Sequence, residues 1–452
     1  MSVDELRARV RALMPRARQD LSRMVSFQSV YDPKEPPPED CQRMVDFTVD
    51  AFGGAGAGDV EAYETSDGSR VVCGHVPGPP DAPTVLLYFH HDVQPARDGH
   101  AWLSPPWELT ERDGRWYGRG AADCKGNAVV HLTALRALAG ELPVNVTIVG
   151  EGSEELGDGG LESFVIENPD LLRADVILVC DAGNAAVGAP SLTTSLRGVV
   201  EVTVTVRGLS GPVHSGRFGG AAPDALAALI HMLGTLHDRR GNTTVRGLDN
   251  HQAWPGAPCV AEQFRADAGV LDGVDLLGDD VADMIWARPS VTVLGIDCPP
   301  VAGSVGAIQP TARARVSLRV PPGTDPIVAQ DALIDHLCTV APWHVQVDCE
   351  RDFAGAPFTG SVDGPAFGAM TDAMRTVYGQ DVTLQGDGGS IPLCNVFQET
   401  FPDAEIMLLG VEEPLCGIHG PNESVDPTEI ENMALVEAQF LTDCARKLIR
   451  IE

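Results

Sequence analysis

Lysine is almost missing from this chain. It occurs only at Lys34, Lys125 and Lys447, so arginine carries nearly all the positive charge, and 32 basic residues face 64 acidic ones for a formal net charge of −32. A surface so short of positive charge excludes general affinity for nucleic-acid backbones or anionic membranes. No segment has the apolar length of a membrane span. The opening stretch, MSVDELRARVRALMPRARQDL, reads as an amphipathic helix without the apolar centre of a secretion signal. The 11 cysteines are odd in number and form no CxxC or CxxxC pair. Together these absences predict a soluble, cytoplasmic protein with reduced thiols and with neither a nucleic-acid nor a membrane partner.

The chain's 452 residues suffice for two or three domains with a sizeable core. In the first part, short apolar runs (SRVVCGHV, TVLLYFH, VNVTIVG, ADVILVC) alternate with helical patterns such as GNAVVHLTALRALAGEL. That alternation predicts an α/β layer fold. The pattern changes near Arg197. VVEVTVTVRG puts Val200, Val202, Val204 and Val206 on one face and Glu201, Thr203, Thr205 and Arg207 on the other, which predicts a half-exposed strand. ARARVSLRV alternates again, with Arg313, Arg315, Ser317 and Arg319 on its polar face. A helix over DPIVAQDALIDHL and a strand over WHVQVDC follow, and α/β character returns after about Phe358. The expected organisation is a discontinuous catalytic domain, residues 1–197 and 358–452, interrupted by an α+β domain, residues 198–357. GGAGAG at 53–58 lacks the strand before and the helix after that a phosphate loop needs, and reads as a turn.

Five stretches concentrate histidines and carboxylates beside apolar strands or in glycine-rich loops: HHDVQP (90–95), GRGAADCKG (118–126), EGSEELG (151–157), VCDAG (179–183) and GIHGPNES (417–424). Ligand sites of open α/β sheets lie at the carboxyl ends of strands. Strand alternation puts Tyr88, His90 and Asp92 on one face and Phe89 and His91 on the other. A histidine with a carboxylate two positions on suits a metal ligand and the partner that orients its ring; a lone HxD is more often a surface histidine. The adjacent Glu154 and Glu155 fit equally an acidic helix start or a metal ligand beside a free base. Asp123 and Asp181, taken singly, read as cap or turn residues, and His419 alone points nowhere.

The five stretches in this order, with TTSLRG, VHSGRFGG, GGSIP and FQE, resemble the M20 family of zinc-dependent metallopeptidases, most of all its dipeptidases related to cytosolic nonspecific dipeptidase and carnosinase. The likeness runs over essentially the whole chain. It implies a catalytic α/β/α sandwich with an inserted α+β lid and dimerisation domain. It implies two divalent ions per chain, Zn2+ first, with Mn2+ or Co2+ possible for such N/O ligands. His90 and Asp181 would serve one ion, Glu155 and His419 the other, and Asp123 both. Asp92 would orient His90. Glu154 would be the general base acting on a bridging water. His214 would reach the partner subunit's site and stabilise the oxyanion there, which requires a homodimer. Arg319 would hold the substrate carboxylate, helped by the backbone of Gly388, Gly389 and Ser390. An aspartate at 181 goes with dipeptidases and aminopeptidases, so hydrolysis of dipeptides or similar small amides is the expected activity. An N-acyl amino acid amidohydrolase is the alternative within the family, and a non-catalytic dimeric binding protein the alternative outside it. Three departures stand out: Cys124 after the bridging aspartate, read as a buried filler; Gly386 and Asp387 where carnosinase-like members often have Arg and Glu; and Gly420 in place of serine.

Overall fold

A computed structural model describes residues 1–34, 38–97, 99–157 and 159–448. It divides into two compact units: Met1–Thr194 with Gly360–Gln385 and Ile391–Glu452, and Ser195–Thr359 with Gly386–Ser390.

The first unit opens with helix α1 (Val3–Val25), started by a capping box in which Ser2 and Glu5 satisfy each other's backbone N–H groups. Helix α2 (Glu39–Gly53) follows, then strands β1 (Gly58–Glu64), β2 (Arg70–Val76) and β3 (Thr84–His90), helix α3 (Lys125–Ala137) and strands β4 (Asn145–Glu151), β5 (Val176–Cys180) and β6 (Ser191–Leu196). The GGAGAG stretch is the turn between α2 and β1. In the second unit come β7 (Gly198–Arg207), α4 (Ala225–Leu233), β8 (Ser290–Asp297), β9 (Thr311–Val320), α5 (Pro326–Thr339) and β10 (Gln346–Gly355). The chain then returns to the first unit for α6 (Pro365–Tyr378), β11 (Glu405–Leu409) and α7 (Pro427–Leu448).

The first unit's sheet runs β1-β2-β4-β3-β5-β11-β6. Its centre, β4, β3, β5 and β11, is parallel, while β1, β2 and β6 join antiparallel. Val85, Leu87 and Phe89 pack into a core shared with α1, α2, α3, α6 and α7; Leu86 and Tyr88 face the other way and are equally buried. The sheet is therefore covered on both faces, as continuous apolar strands require. The mixed α/β architecture read from the alternation is the one observed. From β3 the chain crosses through α3 to β4 on one side, and from β4 to β5 on the other side of β3. This makes the end of β3 a topological switch point, where a crevice opens at the strand termini.

The second unit's sheet is antiparallel, ordered β8-β9-β7-β10. Val200, Val202, Val204 and Val206 are fully buried in a core shared with α4 and α5. The opposite face is less open than alternation predicts. Thr203 and Thr205 are buried; at Thr203, Arg315 reaches Glu201 and Asp352, and Thr203 Oγ1 donates to Asp352 at 2.6 Å. The strand expected over WHVQVDC starts only at Gln346, since Trp343 and His344 take φ of 57° and 55°, outside the strand region. The boundary expected at 358 also differs at one place. Gly386–Ser390 groups with the second unit, where Asp387 O accepts from Arg197 N at 3.1 Å and Gly386 lies against Trp286.

Candidate metal centre

Each parallel strand of the central sheet ends on a polar group. β3 ends on His90, β4 is followed by a single turn carrying Glu154 and Glu155, β5 runs into Asp181, and the loop after β11 carries His419. Asp123 stands just before α3. The switch point thus gathers residues that are remote in sequence.

Asp123 sits at the middle of the group. Its Oδ1 lies 2.8 Å from His90 Nε2 and its Oδ2 lies 3.0 Å from His419 Nε2. His90 Nε2 is also 3.2 Å from Asp181 Oδ1, and His419 Nε2 is 3.1 Å from Glu155 Oε2. Two clusters result, each an imidazole with carboxylates, sharing one aspartate. N···O separations of this size would suit the edges of a coordination shell whose metal–ligand bonds are about 2.0–2.2 Å long. The donor set, imidazole nitrogen and carboxylate oxygen, suits Zn2+, Mn2+ or Co2+. Two divalent cations therefore fit these residues.

The partners of the clusters are ordered as well. His90 Nδ1 lies 3.2 Å from the Asp92 carbonyl and 3.3 Å from its carboxylate, while the Asp92 carboxylate accepts from Glu154 N at 3.2 Å and Glu155 N at 3.1 Å. Asp92 thus touches the His90 ring and fixes the glutamate turn with the same group. His91 faces the opposite side, is buried, and lines a cavity of about 340 Å³ with Tyr31, Cys41 and Val45. Strand alternation alone separates the two histidines. One partner was not legible. Gln94 donates from its backbone to Glu155 Oε1 at 3.1 Å and from its side chain to Oε2 at 2.9 Å. Its place two residues past Asp92 was the available signal.

Charge is balanced locally. Burial holds the Glu154 carboxyl well above the usual carboxylate range, and the Asp181 carboxylate adds to the effect. Burial also opposes ionisation of Asp123, but hydrogen bonds from His419 and His90 overcome it and hold that carboxyl below its usual range. Hydrogen bonds to Asp123 and Glu155 push the His419 imidazole up to about 10. Cys124 is fully buried, and burial pushes its thiol up to about 12. Its Sγ donates to the Cys180 carbonyl at 3.0 Å, yet it shares with His90 and Asp181 a group of ligand-type atoms all within 4.8 Å of one another.

The remaining sequence candidates lie in the second unit. His214 ends the short strand Val213–His214; it is exposed, and its Nδ1 accepts from Gly216 N at 3.1 Å. Periodicity left Arg313, Arg315 and Arg319 equivalent, and the structure separates them. Arg315 pairs with Glu201, and Arg313 lies 4.0 Å from Asp297. Arg319 makes no ion pair among the described residues; it stands in register with Ser290 and Val199, near the buried Arg197. Gly388 packs so closely on Arg197 that an added Cβ would lie 2.8 Å from its guanidinium. Gly389 N donates to Asp387 Oδ1 at 2.5 Å, and Ser390 Oγ is buried without a hydrogen-bond partner among the described residues.

Among the described residues, no helix is long and apolar enough to cross a membrane. The profile of peptidase family M20/M25/M40 matches residues 86–443. A cysteinylglycine-S-conjugate dipeptidase of Corynebacterium striatum is 44% identical over 432 residues, covering 94% of each chain. A Beta-Ala-His dipeptidase of Rattus norvegicus is 29% identical, over 95% of this chain and 88% of its own. The crystal structure of human carnosine dipeptidase 1 superposes with a TM-score of 0.83 at 26% identity, covering 99% of both chains. With its profile match spanning both units and two histidine–carboxylate clusters joined by one aspartate, the chain belongs to peptidase family M20/M25/M40.

Proposed function

We propose that this protein is a dimetal dipeptidase, hydrolysing dipeptides or closely similar small amides. One observation carries the reading: Asp123 offers one oxygen to each of two histidine–carboxylate clusters. Two divalent cations, Zn2+ by preference, would be held by His90, Asp123 and Asp181 and by Asp123, Glu155 and His419, and would supply Lewis acidity and an acidified water. Glu154 takes a proton from the attacking water and returns it to the leaving amine. Burial and the neighbouring Asp181 raise its affinity for a proton, which suits a base that must later act as an acid. Asp92 keeps the His90 ring and the Glu154 backbone in a fixed relation.

Arg319 receives the substrate's terminal carboxylate, and the backbone of Gly388, Gly389 and Ser390 assists. Its lack of an ion-pair partner leaves the guanidinium fork available for that bidentate task. His214 stabilises the oxyanion in the site of a second subunit, so the working form is a homodimer, with the second unit as its lid and dimerisation domain. The exposure of His214 is compatible with such a reach. The names of the relatives, dipeptidases all, support a dipeptide substrate. We propose the cytoplasm as the location; 11 free thiols suit a reducing compartment.

The test is Glu154→Gln assayed on free dipeptides and on N-acyl amino acids. The expected result is bound metal retained and kcat for dipeptides lowered about 10²–10⁴-fold. Undiminished hydrolysis by the variant rejects Glu154 as the base. A wild type that prefers N-acyl amino acids replaces the dipeptidase reading with the amidohydrolase one.

A further inference from the structure

Two charged residues at the centre, Arg119 and Glu423, have no part in the chemistry above, yet they are 2% and 0% exposed. They lie 304 positions apart in sequence and form an ion pair of 2.6 Å. A buried ion pair is weak evidence for stability as such, so its remaining contacts matter. Glu423 Oε2 also accepts from Gly120 N at 3.0 Å, and its Oε1 accepts from Ala122 N and Asp123 N, both at 3.1 Å. The carboxylate is thus wrapped by the backbone that presents Asp123. Arg119 turns its other nitrogen, Nη2, to the His419 carbonyl at 3.2 Å and the Gly420 carbonyl at 3.1 Å. Its guanidinium lies 5.4 Å from the centre of the Trp102 ring.

The backbone held by Arg119 needs holding. His419 takes φ of 62° and Asn422 φ of 64°, left-handed values that side chains other than glycine rarely adopt. His419 is also the ligand candidate most open to solvent, its side chain 55% exposed, so packing does little to fix it. Conformations of this kind persist only where surrounding contacts over-determine them.

We propose that Arg119 and Glu423 are a positioning pair that sets the distance between Asp123 and His419, and that Arg119 thereby governs affinity at the Asp123–Glu155–His419 cluster while leaving the His90–Asp181 side largely untouched. The inference rests on the two-cation reading of the site. Glu423 acts on Asp123, which both clusters share; Arg119 alone reaches the His419 turn. The asymmetry is what a merely structural ion pair would not produce.

The experiment uses the full chain, stripped with chelator and titrated calorimetrically with Zn2+. Wild type takes up two equivalents. Arg119→Lys, which keeps the charge but cannot reach Glu423 and both carbonyls at once, binds one equivalent as wild type does and the other about 10–100-fold more weakly, as for other partners of metal ligands. In an Arg119→Lys/His419→Ala double variant the two losses do not add. Trp102→Leu, which unseats the guanidinium without touching a charge, gives the same selective shift in milder form and decides the matter should Arg119→Lys not fold. Equal weakening of both equivalents, or none in folded variants, overturns the positioning role. A wild type that takes up fewer than two equivalents overturns the two-cation reading instead.

Discussion

Replacing the paired histidines of β3 one at a time should give opposite results. His90→Ala removes an imidazole whose Nε2 lies 2.8 Å from Asp123 and 3.2 Å from Asp181. The cluster would keep its carboxylates while losing its only nitrogen donor. The loss of affinity should exceed the roughly 10–100-fold typical of outer partners of a metal site, so the expected outcome is one equivalent of metal lost on dialysis. His91→Phe should lose none. The His91 ring is buried, its Nε2 has no hydrogen-bond partner among the described residues, and the cavity of about 340 Å³ beside it can take the slightly larger ring. An unpartnered buried polar atom costs about 1–3 kcal/mol, so the phenylalanine should be neutral to stabilising. The assay is metal content by mass spectrometry after dialysis, with thermal melting of the same samples. Equal metal loss in the two variants would refute the reading of this strand.

Arg319→Ala should raise KM for free dipeptides about 10–100-fold, the equivalent of one charge-assisted contact of about 1.5–3 kcal/mol, and should abolish preference for free over C-terminally amidated dipeptides; a preference unchanged in kinetic assays rejects the carboxylate role. His214→Ala should lower kcat about 10²–10³-fold, the usual loss for one oxyanion donor, and mixing it with His90→Ala should recover activity in hybrid dimers; no recovery excludes action in trans. Glu437→Ala leaves the buried His131 Nδ1 without the carboxylate 2.7 Å away, so urea titration should show a loss of about 1–3 kcal/mol, the usual cost of an unpartnered buried polar atom; an unchanged midpoint and slope would show that this contact contributes nothing to stability. Gly150→Ala would bring a Cβ within 2.7 Å of the Phe89 ring and should destabilise by about 1–3 kcal/mol, read as a lowered melting temperature; an unchanged melting temperature would show that the Phe89 ring yields.

What could be read from the sequence was whatever leaves a periodic or local trace. Continuous apolar runs gave the central strands, strict alternation gave the half-covered sheet, and period two separated His90 from His91. Those marks follow from backbone geometry and survive without coordinates. The polar residues of the site left weaker marks. Asp123, Asp181 and His419 each resembled an ordinary loop residue, and only their order along the chain, matched to a family, joined them. Non-local partners left little or none: Gln94, two residues past Asp92, carried only that position as a hint of its contact with Glu155, and Arg119 on Glu423 is a side-chain contact with no spacing rule. Arg319 could not be told from Arg313 and Arg315 by alternation, because alternation records a face and not an ion pair. Thr203 departs from its expected exposure for the same reason, since alternation cannot show the ion-paired side chains beside it.

The second unit leaves the first at Thr194 and rejoins it at Gly360, where Gly360 N donates to Thr194 O at 2.9 Å. A detour of this length therefore begins and ends at one spot. During synthesis His90, Asp123, Glu155 and Asp181 emerge before the detour and His419 after it. The residues of the two clusters are therefore all present only once the whole second unit has been made. Because the ends meet, however, the detour adds no span to bridge, and the closure penalty grows only slowly with its length.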